Sequence, residues 1–416
     1  MRTFVFNSQR TQFMKKFLFA ICALVALCAC EKGEYYFPSS PDGKYGEAAD
    51  AGYDAPSGMP NGGGYGEGQA GLVTAGEWND LDNWAFWGKL MTTQGGEQEN
   101  GYGDTAPYWR FWTDRRVAVK VSGQDGNPAG GVIVTLRNDG TAVWAAVTDN
   151  HGRADCWVGL HQHDVQTGKL SLELNGQEVE GEPVVTTWSS EVVAFNEYTV
   201  TADAPASKAD ILFIVDATGS MADELEFLKE DLMDILGRAQ QAQLPVSIRT
   251  GALFYRDEGD DYVTKESAFT ADYGKTIDFI KQQHAEGGGD FPEAVHTALE
   301  KSLQAYDWDK SARARLAFML LDAPPHQDHQ GVVESLHKSI DKYAEMGIKL
   351  IPVASSGIDK PTEFFLRMAA IATDGTYVFI TGDSGIGGEH LQASVGEYQV
   401  EKLNDLMVRL IQKYLE

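Results

Sequence analysis

Oxygen-bearing side chains follow three apolar segments in the second half of the chain. Asp216, Thr218 and Ser220 come directly after the run ILFIV, with one residue between successive members. Asp290 follows three consecutive glycines, and Asp322 follows the run RLAFMLL. Carboxylate and hydroxyl oxygens are the ligands that a hard cation such as Mg²⁺ prefers, and Mg²⁺ usually keeps several water molecules. These five side chains are therefore candidate ligands of one divalent cation.

The segments around these residues alternate between two patterns, that of a buried strand and that of an amphipathic helix. Runs such as ILFIV, IKLIPVASS and TYVFIT are short and apolar, and helical patterns such as PEAVHTALEKSLQAY separate them. This alternation predicts an α/β Rossmann-like fold for residues 207–416, with an open, mostly parallel sheet and helices on both faces. Ligands of such sheets gather at the carboxyl ends of the strands. We therefore expect the oxygen ligands at one edge of the sheet.

The Asp-x-Thr-x-Ser spacing resembles the metal-ion-dependent adhesion site of von Willebrand factor type A domains, and the resemblance covers residues 207–416. It implies Mg²⁺, with Mn²⁺ or Ca²⁺ as alternatives, bound directly by Thr218 and Ser220 and partly through water by Asp216 and Asp322. It also implies a protein or extracellular-matrix partner whose carboxylate completes the coordination. The family commonly has a threonine hydroxyl where this chain has Asp290, and we expect the carboxylate to strengthen cation binding.

Each of these motifs alone also has a purely structural interpretation. Ser220-x-x-Asp223 has the form of a capping box, and Asp290-x-x-Glu293 has the form of a helix N-cap. Their joint occurrence after the strands of one α/β pattern favours the metal site.

Charged residues near the same predicted strand ends are candidates for the rim of the site. Arg256 and Asp257 follow another strand pattern, for which a solvated hairpin tip is an equal alternative, and His326 comes shortly after Asp322. His326, Asp328 and His329 together suggest a softer metal such as zinc, but a surface loop is the favoured interpretation.

Residues 77–205 are predicted to form an aromatic-rich segment followed by an all-β sandwich. We expect the early tryptophans to pack as a satellite core, with carbohydrate binding left open; they are Trp78, Trp84, Trp87, Trp109 and Trp112. Short alternating runs after residue 117 predict antiparallel strands. The hairpin with Thr148, Asp149, Gly152 and Ala154 resembles the immunoglobulin-like, carboxypeptidase-regulatory type of sandwich, which implies a spacer or presentation module.

The N-terminal residues have the pattern of a bacterial lipoprotein. Residues 1–29 carry Lys15 and Lys16 before an apolar run of 14 residues, too short for a membrane-spanning helix, and read as a signal peptide. Leu-Cys-Ala-Cys at its end resembles a lipobox, which implies lipid on Cys30 and an anchor in the outer membrane, with the protein exposed on the surface. Residues 30–76 are rich in Gly, Tyr and Pro and predict a flexible tether.

These features favour a surface-anchored binding protein over an enzyme. The net charge of −27 disfavours nucleic-acid partners. A metal-dependent hydrolase, with His284 or His296 as general base, is one alternative, although the chain lacks the Gly-x-Ser-x-Gly and His-Glu-x-x-His motifs. A structural envelope component without a metal-dependent ligand is another.

Overall fold

The structure, a computed structural model, describes residues 68–95, 101–201, 206–241 and 246–416. The expected signal peptide at residues 1–29, Cys30 and most of the tether at residues 30–76 lie outside the described residues. Within the described ranges, no helix combines the length and the apolar character that a membrane span requires.

The first half of the described chain contains two helices and eight strands. They are β1 (Thr74–Trp78), α1 (Trp84–Thr92), α2 (Ala106–Trp109), β2 (Arg116–Gly123), β3 (Ile133–Asn138), β4 (Thr141–Val147), β5 (Arg153–Trp157), β6 (Leu170–Leu174), β7 (Gln177–Glu178) and β8 (Phe195–Val200).

The second half alternates strands and helices, as its sequence pattern predicts. The strands are β9 (Lys208–Asp216), β10 (Ser247–Tyr255), β11 (Thr264–Thr270), β12 (Ala314–Leu321), β13 (Ile348–Ala354), β14 (Tyr377–Ile380) and β15 (Glu401–Lys402). The helices are α3 (Leu225–Gln241), α4 (Tyr273–Lys281), α5 (Val295–Gln304), α6 (Val332–Met346), α7 (Lys360–Ala372) and α8 (Leu403–Leu415), with short 3-10 turns at Gly219–Asp223 and Gly382–Ser384.

One large mixed sheet organises the α/β part, in the strand order β11-β10-β9-β12-β13-β14-β1-β15. Strands β10, β9, β12, β13 and β14 run parallel, and the outer pairings are antiparallel. Asp216 at the end of β9 lies opposite Tyr255 at the end of β10, and Leu320 of β12 lies opposite Val215. The parallel register therefore brings the ends of these three strands to one edge.

Helices cover both faces of this sheet. Successive residues of β9 belong to different cores, because side chains alternate across a strand. Leu212 and Ile214 share a core with residues of α5, α6 and α7, whereas Phe213 and Val215 share one with residues of α3 and α8. This arrangement agrees with the predicted α/β fold.

Strand β1 adds to the α/β sheet from far away in the sequence. Its residues pair antiparallel with β14, for example Gly76 with Phe379, and with β15. The expected boundaries placed these residues in the tether and the aromatic segment, apart from the α/β domain. The run TAGEW has no apolar alternation of its own, so its sequence does not predict this pairing.

Two smaller sheets follow β1 in the chain, with orders β5-β2-β8 and β4-β3-β6-β7. All their pairings are antiparallel except that of β2 with β8, which is parallel. Buried side chains of both sheets, including Val119 and Leu136, belong to the same core. The mostly antiparallel pairing and the shared core are compatible with the β-sandwich that the sequence predicts.

The aromatic segment is tied to helix α7 by a buried ion pair. Arg367 and Asp80 form two hydrogen bonds, of 2.9 and 2.5 Å, and their side chains are 0% and 1% exposed. The guanidinium of Arg367 lies over the ring of Trp87, and Trp84, Trp87 and Trp109 are all buried, as the packing interpretation predicts.

We expect Asp80→Ala to lower the free energy of unfolding by about 3–5 kcal/mol, because it removes the hydrogen-bonded carboxylate of the buried guanidinium of Arg367 and leaves only the more distant Glu363, at 3.9 Å. Urea denaturation followed by tryptophan fluorescence measures this change. Asp82→Ala is the matched control, since the Asp82 side chain is 58% exposed and its ion pair with Arg153, at 3.6 Å, lies at the surface. The control should change stability by no more than roughly 0.5 kcal/mol. Equal effects of the two variants would contradict this view of the buried pair.

Candidate metal centre

Three loops meet at the carboxyl edge of the sheet. The loop after β9 is joined to the glycine loop at residues 287–289, because the N–H of Gly219 donates to the carbonyl of Gly287 at 3.1 Å. The glycine loop is joined to the loop after β12 by the Glu293 N–H, which donates to the carbonyl of Pro324 at 2.8 Å. Backbone hydrogen bonds thus fix the three loops around one another.

The Asp216 loop presents its oxygens in a tight local network. Asp216 Oδ1 accepts from the N–H of Thr218 at 2.9 Å and from its hydroxyl at 2.7 Å. The Thr218 and Ser220 hydroxyl oxygens are 3.2 Å apart. Asp216 and Thr218 are fully buried, whereas Ser220 is exposed. The loop therefore offers two adjacent hydroxyls between a buried carboxylate and solvent.

Several buried carboxylate oxygens at this edge have no hydrogen-bond partner. Among the described residues these atoms are Asp216 Oδ2, Glu224 Oε2, Glu293 Oε2 and Asp322 Oδ1. A buried polar atom without a partner costs free energy, and a buried charge costs more. A divalent cation bound at this edge would place positive charge beside these carboxylates, directly or through its water molecules, so the cluster fits a metal ion.

The pKa values of these carboxyl groups indicate the same deficit of positive charge. Burial raises the pKa of Asp216, and burial together with the charge of Asp216 raises the pKa of Asp322. Burial, followed by the charges of Asp216 and Asp257, raises the pKa of Glu293 to about 9. Without a cation, protons would have to neutralise part of this cluster.

Glu293 is a candidate ligand that the sequence analysis assigned only to a helix cap. It is 2% exposed, and a Cβ atom at Gly288 would lie 2.8 Å from its Oε1. Gly288 also has a φ of +73°, so both its conformation and the nearby carboxylate favour glycine. Glu224, 1% exposed, is a further candidate that the sequence analysis did not name, and its charge contributes to the raised pKa of Asp322.

Asp290, which the sequence predicts as a ligand alongside Asp216, is exposed and groups with other residues. Its carboxylate, that of Asp257 and a ring nitrogen of His326 all lie within 4.8 Å of one another. Glu293, rather than Asp290, is the glycine-loop residue whose charge interacts with Asp216 and Asp322.

The residues predicted for the rim lie next to the cluster. The charge of Asp257 contributes to the raised pKa of Asp216, and Asp257 Oδ1 is 2.6 Å from Nε2 of His326. The guanidinium of Arg256 instead donates to the carbonyl of His284 at 2.8 Å and lies over the ring of Tyr262.

The hydroxyls determine how a cation could be held. Among described residues, the groups of three His, Cys, Asp or Glu side chains whose ligand atoms lie within 4.8 Å of one another include neither Asp216 nor Asp322. This spacing is compatible with what the resemblance implies, namely that Thr218 and Ser220 bind the ion directly and the carboxylates act in part through bound water, which Mg²⁺ retains.

Comparison with known families agrees with this fold. Residues 210–346 match the family model described as the von Willebrand factor A domain. The chain contains a von Willebrand factor A-type domain. The matched range of this domain includes every residue of the candidate centre, and domains of this type often bind a divalent metal.

Individual relatives match different shares of this chain. An ariadne-like RING finger protein of Acanthamoeba polyphaga mimivirus, R811, is 34% identical over 117 residues, or 28% of this chain and 11% of the viral protein. The chain therefore spans a small part of that relative. Among solved structures, BatB from Bacteroides thetaiotaomicron is 14% identical with a TM-score of 0.34, covering 50% of this chain and 98% of BatB. The pilus adhesin SpaC from Lactobacillus rhamnosus GG, in its open conformation, is 12% identical with a TM-score of 0.37, covering 51% of this chain and 30% of SpaC.

Stability without metal should fall as pH rises from about 4, the ordinary carboxyl pKa, to about 9, the pKa of Glu293. The folded state holds protons that the unfolded state has lost in this range, so deprotonation destabilises the folded state. Mg²⁺ should oppose the loss, and the increase in Tm that it gives over EDTA should grow with pH. Differential scanning fluorimetry measures both curves. A Tm difference that is independent of pH, or unchanged by Asp216→Asn, would contradict the metal centre.

Proposed function

We propose that this protein binds a carboxylate of a protein or extracellular-matrix partner through a divalent cation, Mg²⁺ or alternatively Mn²⁺ or Ca²⁺, held by its von Willebrand factor A-type domain. The observation that carries the proposal is the group of partnerless carboxylate oxygens on Asp216, Glu293 and Asp322, beside the hydroxyls of Thr218 and Ser220.

The ligand set supports an affinity for an external anion. Neutral hydroxyls as direct ligands leave the positive charge of the cation incompletely neutralised, because the carboxylates act partly through water. Ser220 is exposed while Asp216 and Asp322 are buried, so the side of the centre toward Ser220 faces solvent. A partner carboxylate arriving from solvent would replace a water molecule and complete the coordination.

Binding accounts for these side chains better than catalysis does. The Thr218 hydroxyl donates to Asp216 and lies beside Ser220, so these oxygens are grouped as the ligands of one cation can be. The two histidines considered as general bases lie near other carboxylates: His284 is 3.8 Å from Glu226, and His296 is 3.3 Å from Glu258. We therefore propose a binding protein and not an enzyme.

Partner capture should depend on both metal and Asp216. The protein without its signal peptide, immobilised and exposed to host matrix proteins, should retain partners in Mg²⁺ and release them in EDTA. Asp216→Asn should weaken Mg²⁺ binding on the order of 10-fold or more and reduce capture accordingly. Asp261→Asn is the matched control, since this exposed carboxylate lies near the centre in the chain but outside its ligand set. Undiminished capture by Asp216→Asn, with an intact fold by circular dichroism, would refute the proposal.

We also propose that lipid on Cys30 anchors the protein in the outer membrane and that it is displayed on the cell surface. Cells expressing the native chain and grown with an alkyne fatty acid should yield a labelled protein, and Cys30→Ser should remove the label and release the protein from the membrane fraction. Cys28→Ser is the control, because this residue precedes the expected cleavage site. Protease treatment of intact cells tests display. Labelling of Cys30→Ser at the native level would rule out this anchor.

A further inference from the structure

We propose that Asp257, Asp290 and His326 form a second metal site, chemically distinct from the first, which takes a borderline transition metal such as Zn²⁺. Imidazole together with carboxylate suits Zn²⁺ and related ions, whereas the hydroxyls and carboxylates of the first centre suit Mg²⁺. The two sites use different side chains, so this inference does not rest on the proposed function.

The ligand atoms are already close to the spacing of a tetrahedral site. One atom from each of the three residues lies within 4.8 Å of the other two. Zn–N and Zn–O bonds of about 2.0–2.2 Å place the ligand atoms of a tetrahedral site roughly 3.3 Å apart. The 2.6 Å separation between His326 Nε2 and Asp257 Oδ1 would widen by less than an ångström. Side-chain adjustments alone could therefore close the site around an ion.

Two of the three proposed ligands are buried and one is exposed, which suits a metal site with one position open to solvent. His326 is 3% and Asp257 8% exposed, so two ligands are held by the protein interior. Asp290 is exposed and lies on the glycine loop, where it can move toward an entering ion. A catalytic or binding zinc commonly has three protein ligands and one position open to water or an external ligand.

A second group of possible ligands, which shares His326, lies on the solvent side. His329 stacks on His326 with parallel rings and a centroid distance of 4.4 Å. His326, Asp328 and His329 form a second group whose ligand atoms lie within 4.8 Å of one another, and both Asp328 and His329 are exposed. His326 belongs to both groups and is therefore the residue on which the site depends.

The positive charge nearest in sequence does not neutralise Asp257. The Arg256 guanidinium donates to the His284 carbonyl and lies 3.5 Å from Glu286. The ion pair of Asp257 in the described chain is the one with His326, whose ring is charged only if protonated. A bound cation would place a positive charge beside this carboxylate.

The glycine loop connects the second site to the first. Gly287 accepts from Gly219 of the Asp216 loop, and the Gly288 N–H donates to Asp260 at 2.9 Å. Asp260 in turn accepts from the Asp257 N–H at 3.2 Å. A metal that fixes Asp290 against Asp257 would thus fix the loop that also carries Glu293.

Zinc binding to the protein without its signal peptide tests the site, with Mg²⁺ in excess so that the first centre is saturated. We expect one Zn²⁺ per chain by calorimetry, and Co²⁺ in its place should give the intense visible absorption of a site with nitrogen ligands and low coordination number. Asp290→Asn should weaken Zn²⁺ binding on the order of 10-fold without affecting the fold, because the residue is exposed. His326→Gln should abolish the Co²⁺ bands.

Two control variants distinguish zinc at this site from zinc on surface histidines and from zinc in the first centre. His163→Gln removes an exposed histidine that pairs with Asp164 at 3.1 Å, and it should leave Zn²⁺ binding unchanged. Asp216→Asn should remove the response to Mg²⁺ and keep the zinc, so failure of one site is distinguishable from failure of the other. If His326 and Asp257 form only a structural hydrogen bond, His326→Gln will lower the Tm equally with and without Zn²⁺. That result, or native Zn²⁺ affinity in both His326→Gln and Asp290→Asn, would overturn the inference.

Discussion

Three buried carboxyl groups, whose negative charges repel one another, lie at the carboxyl edge of this sheet. Asp216, Glu293 and Asp322 are each at most 5% exposed, and each has a carboxylate oxygen without a hydrogen-bond partner. Buried like charges are strongly unfavourable, and either protons or a cation must compensate them. This arrangement lowers the stability of the folded protein. We therefore relate it to ligand binding.

The parallel sheet explains why these groups cannot avoid one another. Strands β10, β9 and β12 end at the same edge in register, so polar residues that follow them are brought together whatever their charge. The glycine loop closes the site from the side, since Gly287 and Gly288 adopt positive φ values and leave space for the carboxylates of Asp260 and Glu293. The backbone thus fixes the oxygens before any ion binds, and this preorganisation favours a hard cation of defined geometry.

The remaining parts of the described chain pack against the same α/β domain instead of standing apart from it. Strand β1 continues the sheet, Asp80 pairs with Arg367 of α7, and His161 stacks on His337 of α6 at 4.0 Å. Helix α6 begins six residues after His326, so the loop that carries this histidine leads directly into an element contacted by the first half of the chain. The loop with His326 is therefore connected to the packing of the first half of the described chain.

The sequence alone determined the α/β character of residues 207–416 and the location of Asp216, Thr218, Ser220 and Asp322 at strand ends. Continuous apolar runs identify buried strands, and the carboxyl ends of parallel strands necessarily share an edge. Only the tertiary structure decided that Glu293 joins this group while Asp290 turns to Asp257 and His326, because the path of a glycine-rich loop is not encoded by any local period. The position of β1 beside β14 was likewise decided only there, since hydrogen bonding between strands about 300 residues apart leaves no local signal in the sequence.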